Sequence, residues 1–114
     1  MQMTTSHPER ITLIRHGETP YNTAMREGRV FASREEVVRT GCLPDHRIRL
    51  TSIGRQQSQN IGPVVQSLGP FDIAFHSPYR RAAETLDLVL ATFPKSLRNA
   101  LSRHAHLAAC FGAS

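Results

Sequence analysis

The stretch FDIAFHSPYRRAAETLDLVLATF, Phe71–Phe93, changes its periodicity part-way along. Phe71–His76 reads as a short strand bounded upstream by the Gly69–Pro70 turn. Ser77 and Pro78 follow at once as an N-cap and first-turn pair. From there to about Phe93, the residues Ala82, Leu86, Val89, Leu90 and Phe93 recur at helical spacing, and Pro94 ends the run. A strand that feeds straight into a helix is half of an α/β repeat, so the fold turns on whether the chain holds a second such unit.

Upstream it does. Ile11–Arg15 is an apolar run of strand length, and Thr51 is placed to cap a helix reaching about Ser67. That helix is expected to bury Ile53, Ile61, Val64, Val65 and Leu68, and Pro63 inside it is expected to kink or split it. Between them, Ser33 caps a short helix over Ser33–Arg39 with Glu35 and Glu36 in its first turn, and Gly41–Arg49 is a loop. The order strand, helix, strand, helix predicts a parallel sheet with right-handed crossovers. Two strands do not finish such a sheet, because a parallel strand wants neighbours on its edges and cover on its faces. The expected fold is therefore one domain over 1–114, α/β, with a mainly parallel sheet and helices on both faces, incomplete in this chain. Residues 1–9 read as a flexible N-terminus. Residues 95–114 read as an atypical tail with one weak amphipathic turn and no clear strand.

Composition bounds the function. At 114 residues, with 39% hydrophobic and 20% charged residues, the chain suits a single modest core. No window approaches the ~20 apolar residues of a membrane span. The start, MQMTTSHPER, lacks the apolar core of a secretory signal. Cys42 and Cys110 are too few and too far apart to suggest a disulfide framework, and a cytoplasmic setting is the default expectation. Lys+Arg outnumber Asp+Glu 14 to 9, and Lys95 is the sole lysine. Guanidinium groups suit bidentate contact with phosphate oxygens, so an anionic partner is expected. The arginines are scattered, Trp is absent and only two Tyr occur, which argues against nucleic acid as that partner.

In open parallel sheets, ligands gather beyond the carboxyl ends of the strands. The first candidate strand delivers Arg15, His16, Gly17, Glu18 and Thr19 there; the second delivers His76, Ser77, Pro78, Tyr79, Arg80 and Arg81. With the strands adjacent, Arg15 and Arg81 converge on His16 and make a seat for a phosphoryl group. Gly17 lets the backbone approach an oxygen closely. A neutral imidazole with one nitrogen aimed at phosphorus is a nucleophile, forming a phosphohistidine that water hydrolyses.

Three segments, LIRHGETPYN (Leu13–Asn22), DHRIRLTSIGRQQ (Asp45–Gln57) and SPYRRAAET (Ser77–Thr85), resemble the histidine phosphatase superfamily, also called phosphoglycerate mutase-like. The resemblance spans most of residues 10–93. It implies that His16 is the phosphorylated nucleophile, that Arg15 and Arg81 bind the phosphoryl oxygens, and that Asn22 and Thr19 lie beside the pocket. It also implies a phosphorylated small-molecule substrate and no metal or organic cofactor. Arg81, directly before Ala82, matches the motif arginine; Arg80 does not, since adjacent helical residues point apart.

Two departures qualify the resemblance. The stretch from Asn22 to Leu50 is longer than in compact members, so substrate identity does not transfer. Members also carry a general acid after the third motif and a second pocket histidine near the C-terminus. After Asp87 this chain has no Asp or Glu, and His104 and His106 are followed by alanine and leucine. The chain thus reads as an N-terminal portion, truncated or shifted in frame after Pro94, with weak or absent turnover. Its unfinished sheet edge invites self-association.

The leading expectation is a phosphomonoester hydrolase. The alternatives are a phosphoglycerate-mutase-type phosphotransferase and a non-catalytic phosphate-binding pseudoenzyme. Glu18 reads as a structural residue at the loop-to-helix junction, with a place in the site as the alternative. Glu84 is expected to face solvent or an arginine. His76 reads as a packed histidine or as one lining the site. His104, His106 and Cys110 fall short of the four ligands a structural zinc wants.

Overall fold

The computed structural model describes residues 9–28, 33–39 and 44–105. In chain order its elements are α1 (Pro20–Arg26), α2 (Arg34–Arg39), a 3₁₀ turn (Asp45–Arg47), α3 (Ser52–Ser67), β1 (Ile73–His76), α4 (Arg80–Ala91), α5 (Lys95–Ala100) and β2 (Ser102–Ala105). Two of the expected caps are in place. The Glu36 amide donates to Ser33 Oγ at 3.2 Å, and the Gly54 amide donates to Thr51 Oγ1 at 3.0 Å.

α3 and α4 pack directly on each other, and their contact differs from the expected one. The buried residues of α3 are Gly54, Ser58, Gly62 and Val65, a stripe of mostly small side chains. Ile53, Ile61, Val64 and Leu68 instead remain 54%, 39%, 57% and 47% exposed. The cause is the closeness of approach. A Cβ on Gly62 would sit 2.1 Å from Thr92 Oγ1, so the seam admits no side chain at this point, and the larger residues other than Val65 fall beside it. Pro63 neither splits nor ends α3, which runs unbroken from Ser52 to Ser67. The proline is exposed, while Gly62 and Val65 are held in the seam on either side; this tertiary contact outweighs the local cost of the missing amide. Val65 joins Val89 and Phe93 of the α4 segment in the core, flanked by Phe71 and Leu90.

α4 begins later than the Ser77–Pro78 pair predicts. Its N-cap is Tyr79, and Ser77 Oγ accepts the Tyr79 amide at 3.2 Å, forming a serine turn ahead of the helix.

The sheet is parallel, with β1 paired to β2 in the register Ile73↔Ser102 through His76↔Ala105. The strand and helix at Phe71–Phe93 are thus the first half of a β–α–β unit closed by the tail. Ser102–Ala105 lies in the tail, where the sequence pattern shows no clear strand, yet it forms β2. Its sequence, SRHA, lacks β-branched residues and alternation; its extension comes from pairing with β1, reinforced where the Ser102 amide donates to the Asp72 carbonyl at 2.9 Å. Ile11–Arg15, by contrast, is not a strand, and Ile11 and Leu13 are 73% and 90% exposed. An apolar run signals a tendency to burial, but a strand needs a partner for its backbone groups, and none of the described residues supplies one. α4 contacts β1, whereas Ile73 and Phe75 stay largely open, so helices on both faces are not observed among the described residues. No helix among these residues is long and apolar enough to cross a membrane.

Candidate active site

The loop Arg15–Thr19 is held against α3 and α4 by its backbone. The Gly17 amide donates to Thr85 Oγ1 at 3.1 Å, and Thr85 in turn donates to the Arg81 carbonyl at 2.7 Å. The Glu18 amide donates to Gln57 Oε1 at 2.9 Å, and the Thr51 amide donates back to the Glu18 carbonyl at 2.9 Å. Gly17 and Gly54 lie face to face: a Cβ on Gly17 would stand 2.4 Å from Gly54 O, and one on Gly54 would stand 2.2 Å from Glu18 O. The need for glycine at position 17 is therefore one of close packing.

Glu18, Thr19 and Ser58 are buried with their polar atoms satisfied. Glu18 Oε2 accepts from Arg26 at 2.7 Å and Oε1 accepts from the Thr51 hydroxyl at 3.0 Å, which clamps α1, the loop and the start of α3. The Arg26 guanidinium holds the Glu18 carboxyl below its ordinary value of 4.5, against the opposing effect of burial, and the Thr23 and Thr51 hydroxyls add to the lowering. A carboxyl lowered on folding stabilises the fold above its unfolded pKa, and that contribution is lost as pH falls through the folded one. Glu18→Gln is accordingly expected to be less stable than the parent at pH 7. The gap between their denaturation midpoints should narrow as pH falls below 4.5 and the carboxylate takes up its proton; a gap that does not change with pH would contradict the clamp.

Thr19 and Asn22 form a capping box on α1. The Asn22 amide donates to Thr19 Oγ1 at 3.3 Å, while Asn22 Oδ1 accepts from the Thr19 amide at 3.0 Å and from its hydroxyl at 2.9 Å. These contacts turn the chain into α1 immediately after the loop.

His16 is half-buried, and its Nδ1 lies 2.8 Å from the Gly17 carbonyl oxygen. A carbonyl only accepts, so Nδ1 carries the proton and donates. In the neutral ring the lone pair then sits on Nε2. His16 opens on a pocket of about 90 Å³ lined by Arg15, His16, Gly17, Gln57, Ser58, Ile61 and Thr85.

The structure thus gathers Arg15, His16 and Gly17, and it places other expected residues outside the pocket lining. Arg81 donates from NH1 to the Asp45 carbonyl at 2.9 Å and to Asp45 Oδ1 at 3.2 Å, with its guanidinium 4.9 Å from the centre of the Tyr79 ring. It is tied to the 3₁₀ turn, one helical turn before Thr85. His76 ends β1 and donates from Nδ1 to the Ser77 carbonyl at 2.8 Å. Glu84 accepts from the Leu50 amide at 3.0 Å and from Arg55 at 3.4 Å, so it joins α4 to the start of α3. His104 stacks on Phe75 at 5.7 Å, while His106 and Cys110 lie outside the described residues.

Gln57, Ser58 and Thr85 are the pocket residues that sequence reasoning passed over. Gln57 and Thr85 close the second and third motif segments, which was the available signal. Their roles arise only when α3, α4 and the loop are brought together.

A sequence model of the histidine phosphatase superfamily (branch 1) matches residues 11–102, which takes in every residue lining this pocket.

Proposed function

Because the chain belongs to the histidine phosphatase superfamily (branch 1), a group of phosphatases and mutases, we propose that it acts on phosphomonoesters through a phosphohistidine at His16. Its helix-rich body with a short parallel sheet is compatible with an incomplete α/β fold of the phosphoglycerate mutase-like type. The observation that carries the proposal is the Nδ1–H donation to the Gly17 carbonyl, which in the neutral ring leaves the lone pair on Nε2, in a pocket that Arg15 also lines. In the first step Nε2 bonds to phosphorus and the ester oxygen leaves with its electron pair, while Arg15 neutralises the phosphoryl oxygens. In the second step water attacks phosphorus, the N–P bond breaks, and phosphate and neutral imidazole are regenerated. Arg81 adds a second guanidinium on exchanging Asp45 for the anion. A mutase would return the phosphoryl group to an alcohol in place of water.

A leaving alkoxide needs a proton, and among the described pocket residues there is no carboxylate to give one. That observation favours a second reading, phosphate binding with little or no turnover. The two separate on leaving-group dependence. An aryl phosphate with an acidic phenol is expected to be hydrolysed slowly, an alkyl phosphate not measurably, and His16→Ala should remove the aryl activity. Phosphate binding with no release from either ester would establish the second reading. Neither binding nor release would contradict both.

A further inference from the structure

Gln57 stands at the junction of the loop and the pocket. Its side chain lines the pocket with Arg15 and His16, and its Oε1 accepts the Glu18 amide at 2.9 Å. A backbone amide can only donate, so this contact fixes which end of the carboxamide is oxygen. The Nε2 group, with two N–H donors, is thereby turned away from Glu18 N, and among the described residues it meets no acceptor. The other polar side chains of the pocket are already engaged with protein. Ser58 donates to the Gly54 carbonyl at 2.9 Å, and Thr85 both accepts from Gly17 and donates to Arg81. The Gly17 amide, the natural backbone donor to an oxyanion here, is consumed by Thr85. Among the described residues, the pocket's uncommitted donors are then the Arg15 guanidinium and the Gln57 amide.

We infer that Gln57 is a phosphoryl-oxygen ligand of this pocket, donating from Nε2 to the anion that His16 faces. The inference rests on the phosphoryl reading of the site and adds to it a neutral donor whose orientation is set by the loop carrying the nucleophile. Because the same carboxamide anchors Glu18 and contacts the anion, it registers the phosphoryl group against His16.

The test uses ¹H–¹⁵N correlation spectra of the whole chain titrated with inorganic phosphate. The Gln57 side-chain amide pair is identified by its absence in Gln57→Met. If that variant does not fold, Gln57→Glu, which keeps an acceptor for the Glu18 amide, identifies the same pair. The Gln57 pair is expected to shift in step with the His16 ring signals. Losing a hydrogen bond to a charged group is expected to weaken phosphate binding roughly ten- to a hundredfold in a folded Gln57→Met or Gln57→Glu variant. A shift of His16 without Gln57 would overturn the assignment while leaving the site intact. No shift of either would overturn the phosphoryl reading as well.

Discussion

Gly54→Ala is expected to cost roughly 1–3 kcal/mol of unfolding free energy, the usual range for overpacking a closed contact. The new methyl carbon would lie 2.2 Å from the Glu18 carbonyl oxygen and 2.7 Å from the Glu18 amide nitrogen. Both are backbone atoms, so no rotamer change relieves the clash; either α3 or the loop has to move. Motion of the loop carries Arg15 and His16 away from Gln57, so phosphate binding should fall along with stability. Chemical denaturation followed by circular dichroism gives the first quantity, and a phosphate titration the second. An unchanged denaturation midpoint would mean that the loop is not pressed on α3 as described.

Thr85→Val tests the other side of the loop. The substitution keeps the shape of a side chain that is 6% exposed and removes its hydroxyl. The buried Gly17 amide is then left without its acceptor, at a cost of about 1–3 kcal/mol. Thr85→Ser, which retains the hydroxyl, should keep most of the lost stability and should hold the Gly17 amide protected from solvent exchange. The valine variant should show that amide exchanging faster than its neighbours. Equal protection in the two variants would contradict the hydrogen bond from Gly17 to Thr85.

These two contacts mark where the sequence could be read and where it could not. Local patterns were legible. Thr51 and Ser33 announced their helices because a hydroxyl three residues before a free amide is a local device. The strand at Ile73–His76 and the helix behind it were legible because the hydrophobic period switches between them. The buried stripe of α3 was not, because Gly54, Ser58 and Gly62 carry no hydrophobic signal and are chosen by how closely α4 and the loop approach. β2 was missed for a related reason: SRHA becomes a strand by pairing with β1, a property of the pair. Ile11–Arg15 shows the converse, an apolar run whose Ile11 and Leu13 stay exposed. At the site, Arg15, His16 and Gly17 are consecutive and so were visible together. Gln57 and Thr85 reach the same pocket from two helices and are recognisable only in three dimensions. Thr19 and Asn22 stand at capping-box spacing, and it is as the cap of α1 that the structure uses them.

Nε2 of His16 is the atom proposed to take the phosphoryl group. The most direct measurement is to mix the chain with an aryl phosphate, quench with alkali, digest, and locate any phosphoryl group by mass spectrometry. One acid-labile phosphoryl group is expected on His16, attached at Nε2 and absent in His16→Ala. Label on another residue, or phenol release with no label on His16 at any quench time short enough to capture an intermediate, would contradict it.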